Sequence, residues 1–402
     1  MLFRRVLRIA LVGFVLGFLT RSLRAQSAVP EEGFRAVDLL SLPEAAFPGG
    51  LAYSPEEHPI TYDSVSGEIL LHAGGPPLSL ARFDPPVFGS FLVLHPDGEA
   101  VIFAESSASN VYSVPLTGAG ADMPIDNITF AYDLVFDSDG HGLVSTPDPV
   151  TANRNRIVLL DSDPSAANQD VVTGIPGASG PLTLDPDGNL YYITADFTTP
   201  GMQSFHRIAA AVIQGAIAGE PVDFDDVSVQ LLHELDGAFS LRWLGGKLLF
   251  TDLGFVSGTR GLFLIDPDAN FAISTLATFE LPPSYIAVRP GTTDLAAGAG
   301  PEAGSILVAF GNGAAVGGVV EIAAETWFVR GELNGDGLVD ISDAITLLLQ
   351  LFVDRNIPID VIAADINQDD GIDTSDAIYL LDFLFRGGPP IPAPFPEPGP
   401  ES

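Results

Sequence analysis

PLTLDPDGNLYYITA (181–195) sets two apolar runs on either side of an Asp-Pro-Asp-Gly turn, and the same figure returns along the chain. It recurs as FLVLHPDGEAVIFAE (91–105), DLVFDSDGHGLVST (133–146) and SLRWLGGKLLFTD (240–252), and in degenerate form as ITYDSVSGEILLHA (60–73) and YIAVRPGTTDLAAG (285–298). Each reads as a β-hairpin: short apolar strands joined by residues that supply a tight turn. A further strand-like run follows each, as in NVYSVPL (110–116), RIVLLDSD (156–163), SFHRIAA (204–210) and GLFLIDPD (261–268). A period of about 40–60 residues with about four strands per unit is the mark of a β-propeller. Units starting near residues 59, 90, 132, 180, 239 and 284 predict a mainly β fold with six blades across 34–325. FRAVDLLSL (34–42) is placed to complete the last blade and so remove an exposed sheet edge. HRIAAAVIQGAIAGEPVDF (206–224) reads as a partly helical insertion in the fourth blade.

Composition narrows what such a fold does. Acidic residues number 52 against 17 basic ones, and Lys247 is the only lysine. A surface of that sign repels nucleic acid and anionic membranes, while it attracts divalent cations. The first 28 residues have the layout of a signal peptide: Arg4, Arg5 and Arg8, an apolar run from Ile9 to Leu19, then small residues at Ala25–Ala28. The competing reading is an uncleaved anchor, although the apolar run falls short of the roughly 20 residues that a membrane span needs. A secreted or cell-surface protein is the expectation, without stable membrane insertion once the leader is removed. With no cysteine, the exported chain must rely on its core and on metal for stability.

The metal expectation comes from ELNGDGLVDISD (332–343) and DINQDDGIDTSD (365–376), one 12-residue pattern repeated. Side-chain oxygens fall at loop positions 1, 3, 5, 9 and 12: Glu332, Asn334, Asp336, Asp340 and Asp343, then Asp365, Asn367, Asp369, Asp373 and Asp376. Leu338 and Gly371, at position 7, each offer a backbone carbonyl. This is the spacing that wraps one Ca²⁺ in six or seven oxygens, so two calcium ions are expected. Apolar residues at position 8 (Val339, Ile372) suit back-to-back pairing of the loops. Glu332 puts a longer arm where Asp is usual, and Asp370 occupies position 6, where glycine is usual. Residues 331–385 hold 12 acidic side chains and one basic one, Arg355, a concentration of like charge that cations would relieve.

Two resemblances follow. Residues 331–388 resemble a type I dockerin module in NGDGLVDISDAITLLLQLF and NQDDGIDTSDAIYLLDFLF, most closely the form carried by secreted planctomycete proteins. That resemblance implies two EF-hand-type calcium loops in a small α-helical domain (326–388). It also implies a cohesin-like or other extracellular protein partner docking on the helices. Positions 10 and 11, which carry recognition in that family, are Ile341–Ser342 and Thr374–Ser375. The final segment, 389–402, is expected to be a Pro-rich disordered tail. Residues 59–325 resemble the six-bladed propellers of the NHL and gluconolactonase-like superfamily in hairpin spacing and turn chemistry, which speaks to fold more than to function.

The resemblance implies a divalent cation at the axial mouth, and the candidates to hold it, near first-strand positions, are Glu105, Asp133, Asp196 and Asp252. Asp also recurs in the hairpin turns for structural reasons, at Asp97, Asp137, Asp139, Asp185 and Asp187. His95 and His141 stand beside corresponding turns of neighbouring blades, and no histidine has a metal-ligand spacing such as HExxH. Two functions remain open on the sequence. One is a largely non-catalytic propeller that binds a ligand or protein, carried by a calcium-dependent attachment module. The other is a propeller enzyme, a metal-dependent lactonase or a polysaccharide-active hydrolase or lyase, targeted by the same module. Carboxylates from different blades converging on one point would favour the enzyme.

Overall fold

The computed structural model describes residues 28–400 apart from 32–33, 42–47, 106–108, 121–123, 162–163, 166, 195–202, 291, 293–303, 312–316, 326, 355–356, 358 and 370. The leader expected at 1–28, Asp196 and Asp370 therefore lie outside the described residues, except for Ala28. The chain divides into two compact units, one holding residues 1–31, 36–291 and 305–322, the other 32–35, 292–304 and 323–402.

The first unit is a six-bladed propeller. Each blade is an antiparallel sheet whose innermost strand starts it: Pro48–Tyr53, Gly89–Leu94, Asp133–Phe136, Leu182–Leu184, Ala238–Leu244 and Pro283–Val288. Neighbouring innermost strands touch all the way round, the sixth meeting the first. Phe34–Ser41 joins Gly318–Ala324 as the outer strand of the sixth blade, as the apolar run there predicted. Second strands such as Ala100–Glu105 are buried on both faces, which is why they read as continuous apolar runs rather than alternating ones. The core lies between blades. Tyr62, Phe103 and Leu92 fill the space between the first and second, and Tyr192, Ile208 and Val172 that between the third and fourth.

Two blades carry an extra strand. Ala28–Pro30 pairs with Ala272–Phe279 on the fifth, and Val222–Asp223 runs parallel to Asp170–Pro176 on the third. The latter belongs to the insertion, which forms α1 (Ala210–Ala218) and α2 (Phe224–Val227) and packs Ile213, Ala216 and Phe224 onto the outer strand of blade 3.

The first blade starts at Pro48, not near residue 59. The hairpin at 60–73 is its second and third strands, whereas the copies at 91–105, 133–146, 181–195 and 240–252 are first and second strands. Its innermost strand, PGGLAY, hides from sequence reading because its glycines carry no strand signal. They are required nonetheless: a Cβ on Gly50 would stand 2.5 Å from Leu92 Cβ on the next blade.

In the second unit, α3 (Ile341–Phe352) and α5 (Thr374–Arg386) pack against each other, with the short α4 (Val361–Ala364) between them in sequence. Leu333, Ala344, Leu347, Ala363, Ala364, Ile366, Ala377 and Leu380 form its core. The segment expected as a disordered tail belongs to that core. Ile391 is buried in it, Phe395 meets Phe383 edge-on at 5.3 Å, and Gly399–Pro400 pairs antiparallel with Trp327–Phe328. Proline content alone pointed to an extended, solvated chain, but the apolar side chains spaced among the prolines find a groove. No described helix is long and apolar enough to cross a membrane.

Candidate functional site

At the end of the propeller where the chain enters its innermost strands, three of the four expected carboxylates are described. Glu105, Asp133 and Asp252 are all buried. Asp133 opens the innermost strand of blade 3 and reaches across blade 4 to Arg242 on blade 5. The pair is bidentate, Arg242 Nη1 to Asp133 Oδ2 at 2.9 Å and Nη2 to Oδ1 at 3.1 Å. The Leu134 and Leu182 amides also donate to this carboxylate. Asp252 accepts the amides of Gly254 (2.8 Å) and Asp236 (3.2 Å), closing a loop, and burial pushes its carboxyl up to about 6. Glu105 ends the second strand of blade 2, opposite Asn110 and Gly89. Among the described residues these three do not gather their oxygens within 4.8 Å of one another. The expected metal centre is thus not assembled from them, and Asp133 serves an ion pair that ties non-adjacent blades.

The opposite end of the axis opens into a cavity of about 760 Å³. Its walls are innermost-strand residues such as Leu51, Val93, Val135 and Ile286, with Phe136 and Trp243. Arg242 lines it from within, and Asp137, Asp139, Asp185 and Asp187 come from the hairpin turns of blades 3 and 4. The repeated turn explains this rim. In HPDGEA, DSDGHG and DPDGNL, the glycine takes a positive φ (75°, 88° and 83°) and donates to the residue three positions back. Asp137 accepts from the Asp139 and His141 amides, from His141 Nδ1 at 2.9 Å and from Gln214 Nε2 at 3.1 Å. Burial opposes ionisation of Asp137, but these bonds outweigh it and hold the carboxyl below its ordinary value. His95 packs edge-on, at 5.2 Å, to Phe136, the residue just before the Asp137–His141 turn of the next blade.

Asp137, Asp139 and His141 are the one group of three acidic or histidine residues, among those described, whose ligand atoms lie within 4.8 Å. All three come from a single turn, and the His141–Asp137 bond already occupies two of the atoms. The sequence reading missed the cavity and the Arg242–Asp133 bridge. The available signal was a lone arginine inside an otherwise apolar innermost strand, SLRWL.

The C-terminal loops fold alike, contact for contact. Glu332 Oε1 accepts the Asp336 amide at 3.0 Å, and Asp365 Oδ1 accepts that of Asp369 at 3.1 Å, so the longer arm of Glu332 fits the same corner. Asn334 and Asn367 each bridge to the position-5 carboxylate and to the position-11 serine. Asp343 and Asp376 are fully buried. Each takes the amides of loop positions 2, 3 and 9, while position 9 caps the following helix: a capping box. Burial raises the Asp376 carboxyl. Gly335 and Gln368, both at position 4, are left-handed (φ 77° and 59°), as is Gly337 at position 6 (φ 81°).

The donor set fits a hard divalent cation, since every side chain offered is an oxygen ligand. In each described loop, however, no three carboxylates close to within 4.8 Å, so an ion would draw them inward. Backbone pairing through Val339 and Ile372 is not seen among the described residues. The two loop–helix repeats of the second unit meet instead through α3 and α5 and through the Gly331 amide on Ala363 O, at 2.9 Å.

No protein-family model matches this chain, and no curated protein does. Among solved structures it is similar to a gluconolactonase from Xanthomonas campestris (14% identity, 75% of this chain and 96% of that one, TM-score 0.51). It is similar to a luciferin-regenerating enzyme as well (13% identity, 73% and 96%, TM-score 0.51). At such identities the likeness shows the propeller fold alone.

Proposed function

We propose that this is a secreted binding protein: a propeller that takes a ligand or protein segment in its axial mouth, carried by a calcium-dependent, dockerin-like attachment module. One observation carries the binding reading over the enzymatic one. At the expected catalytic mouth Asp133 is engaged in an ion pair and Asp252 in loop closure, whereas the other mouth is open, aromatic-walled and rimmed by acceptors. A ligand rich in donors, hydroxyl or ammonium groups on an apolar frame, suits that rim. Calcium at both C-terminal loops is supported by the repeated oxygen set and by loops that fold alike. The apolar side chains left exposed on α3 and α5, among them Ile345, Phe352, Ile378 and Phe385, suit a protein partner.

The rival reading is a lactonase, for which the fold of the neighbours is the only support. Incubation of the full chain with glucono-δ-lactone and Ca²⁺, Mn²⁺ or Zn²⁺ separates the two. Under the binding reading no hydrolysis above background appears, and a glycan or peptide array gives binding that Trp243→Ala and Asp187→Asn remove. Hydrolysis that Asp133→Asn abolishes overturns it.

A further inference from the structure

Arg330, in what reads as a linker (VRGE, 329–332), is 3% exposed. Its charge is met by backbone carbonyls from two sides. Nε donates to Ala393 O at 3.0 Å in the proline-rich segment, and Nη1 donates to Ile362 O at 3.4 Å and to Asp365 O. The Arg330 amide donates to Pro394 O at 2.8 Å, and the guanidinium lies over the Phe328 ring, 5.3 Å from its centroid. Asp365 is position 1 of the second loop, so this one side chain joins the loop entrance to residues 393–394. The segment itself is anchored at three further points: Tyr379 Oη to Pro390 O at 2.9 Å, Ile391 in the core, and Phe395 on Phe383.

The repeat makes the arrangement one-sided. Thirty-three residues on from Arg330 stands Ala363, which brings no cation to the first loop; Glu332 turns back on Val329 O through its own amide. A buried guanidinium is tolerated only while its donors are bonded. It therefore fixes the carbonyls it touches, as outer-shell partners fix the groups that bind a metal.

We infer that Arg330 is a positioning residue for the second calcium loop, and that residues 389–400 are the strap that holds it in place. The inference rests on the calcium reading of these loops. It is tested on the full chain by calorimetric titration with CaCl₂, in an Asp369→Asn background that leaves the first loop and an Asp336→Asn background that leaves the second. Arg330→Ala, or truncation after Gly388, weakens the second loop about 10–100-fold, the range for outer-shell partners of metal sites, and leaves the first unchanged. Arg330→Lys falls between, because an ammonium lacks the planar fork that spans several carbonyls. Amide exchange over 365–376, but not 332–343, quickens in the same variants. Should Arg330→Ala or the truncation fail to fold, Arg330→Lys and Phe395→Ala carry the comparison. Equal loss at both loops, or none at either, overturns the positioning role. A parent protein that binds no calcium overturns the calcium reading and the inference with it, and the two failures are told apart by the parent titration alone.

Discussion

Asp133 and Arg242 show how a residue's type and its role separate. The position of Asp133, first in an innermost strand, marked it as a metal ligand, but an arginine 109 residues away takes both of its oxygens. Removing one partner of a buried pair strands the other charge, so Arg242→Met is expected to cost the propeller about 3–5 kcal/mol in urea unfolding. Restoring shape without charge, as in Asp133→Asn with Arg242→Met, recovers most of that. Asp252 poses the opposite case. Burial lifts its carboxyl from 3.8 to about 6, so the folded chain holds a proton there that the unfolded chain has lost. Stability therefore falls as pH rises through that window and stays lower above it, by about 3 kcal/mol for a two-unit shift. Unfolding of wild type and Asp252→Asn between pH 4 and pH 8 checks the sign: the variant gains on wild type toward high pH. A flat difference would mean that Asp252 does not titrate in this range.

Among the elements, the hairpin turns and the 12-residue acidic loops share a chemistry and differ in length. Both use Asp to accept amides two to four residues on and glycine to take a left-handed backbone. In the short turns the carboxylates are satisfied locally. In the 12-residue loops the acids are spread around a wider ring and twice bury one at position 12. That arrangement allows both readings of the acidic positions, since Asp340, Asp343, Asp373 and Asp376 form capping boxes as well as offering oxygens to a cation. The residual like charge favours a bound cation. Chelation with EDTA is expected to unfold the C-terminal module, read as a loss of helical circular dichroism, and to leave the propeller's β signal intact. An unchanged helical signal would count against calcium. In the second loop Asp370 lies outside the described residues, and Gln368 is a left-handed non-glycine among those described there, a conformation that costs roughly 1 kcal/mol.

For the whole molecule, closure of the ring depends on a strand far from its partners in sequence. Phe34–Ser41 pairs with Gly318–Ala324, so deleting residues 28–41 leaves the sixth blade with an open edge. The expected result is loss of a single cooperative unfolding transition and onset of aggregation, measured by thermal denaturation with light scattering; an unchanged transition would show that the ring does not need this strand. Much of this architecture was legible in the sequence, because hairpin periodicity, turn chemistry and loop spacing are local and each constrains only neighbours along the chain. Six blades, the insertion in the fourth, the closing strand and the repeated loops all follow from such patterns. The tertiary structure alone decided the rest: the innermost strand PGGLAY, the Arg242–Asp133 bridge that occupies the expected ligand, the open mouth at the other end, and the proline-rich segment folded onto Arg330. Each of these depends on which distant groups meet, and a charge, a glycine or a proline carries no mark in sequence of the partner that will bury it.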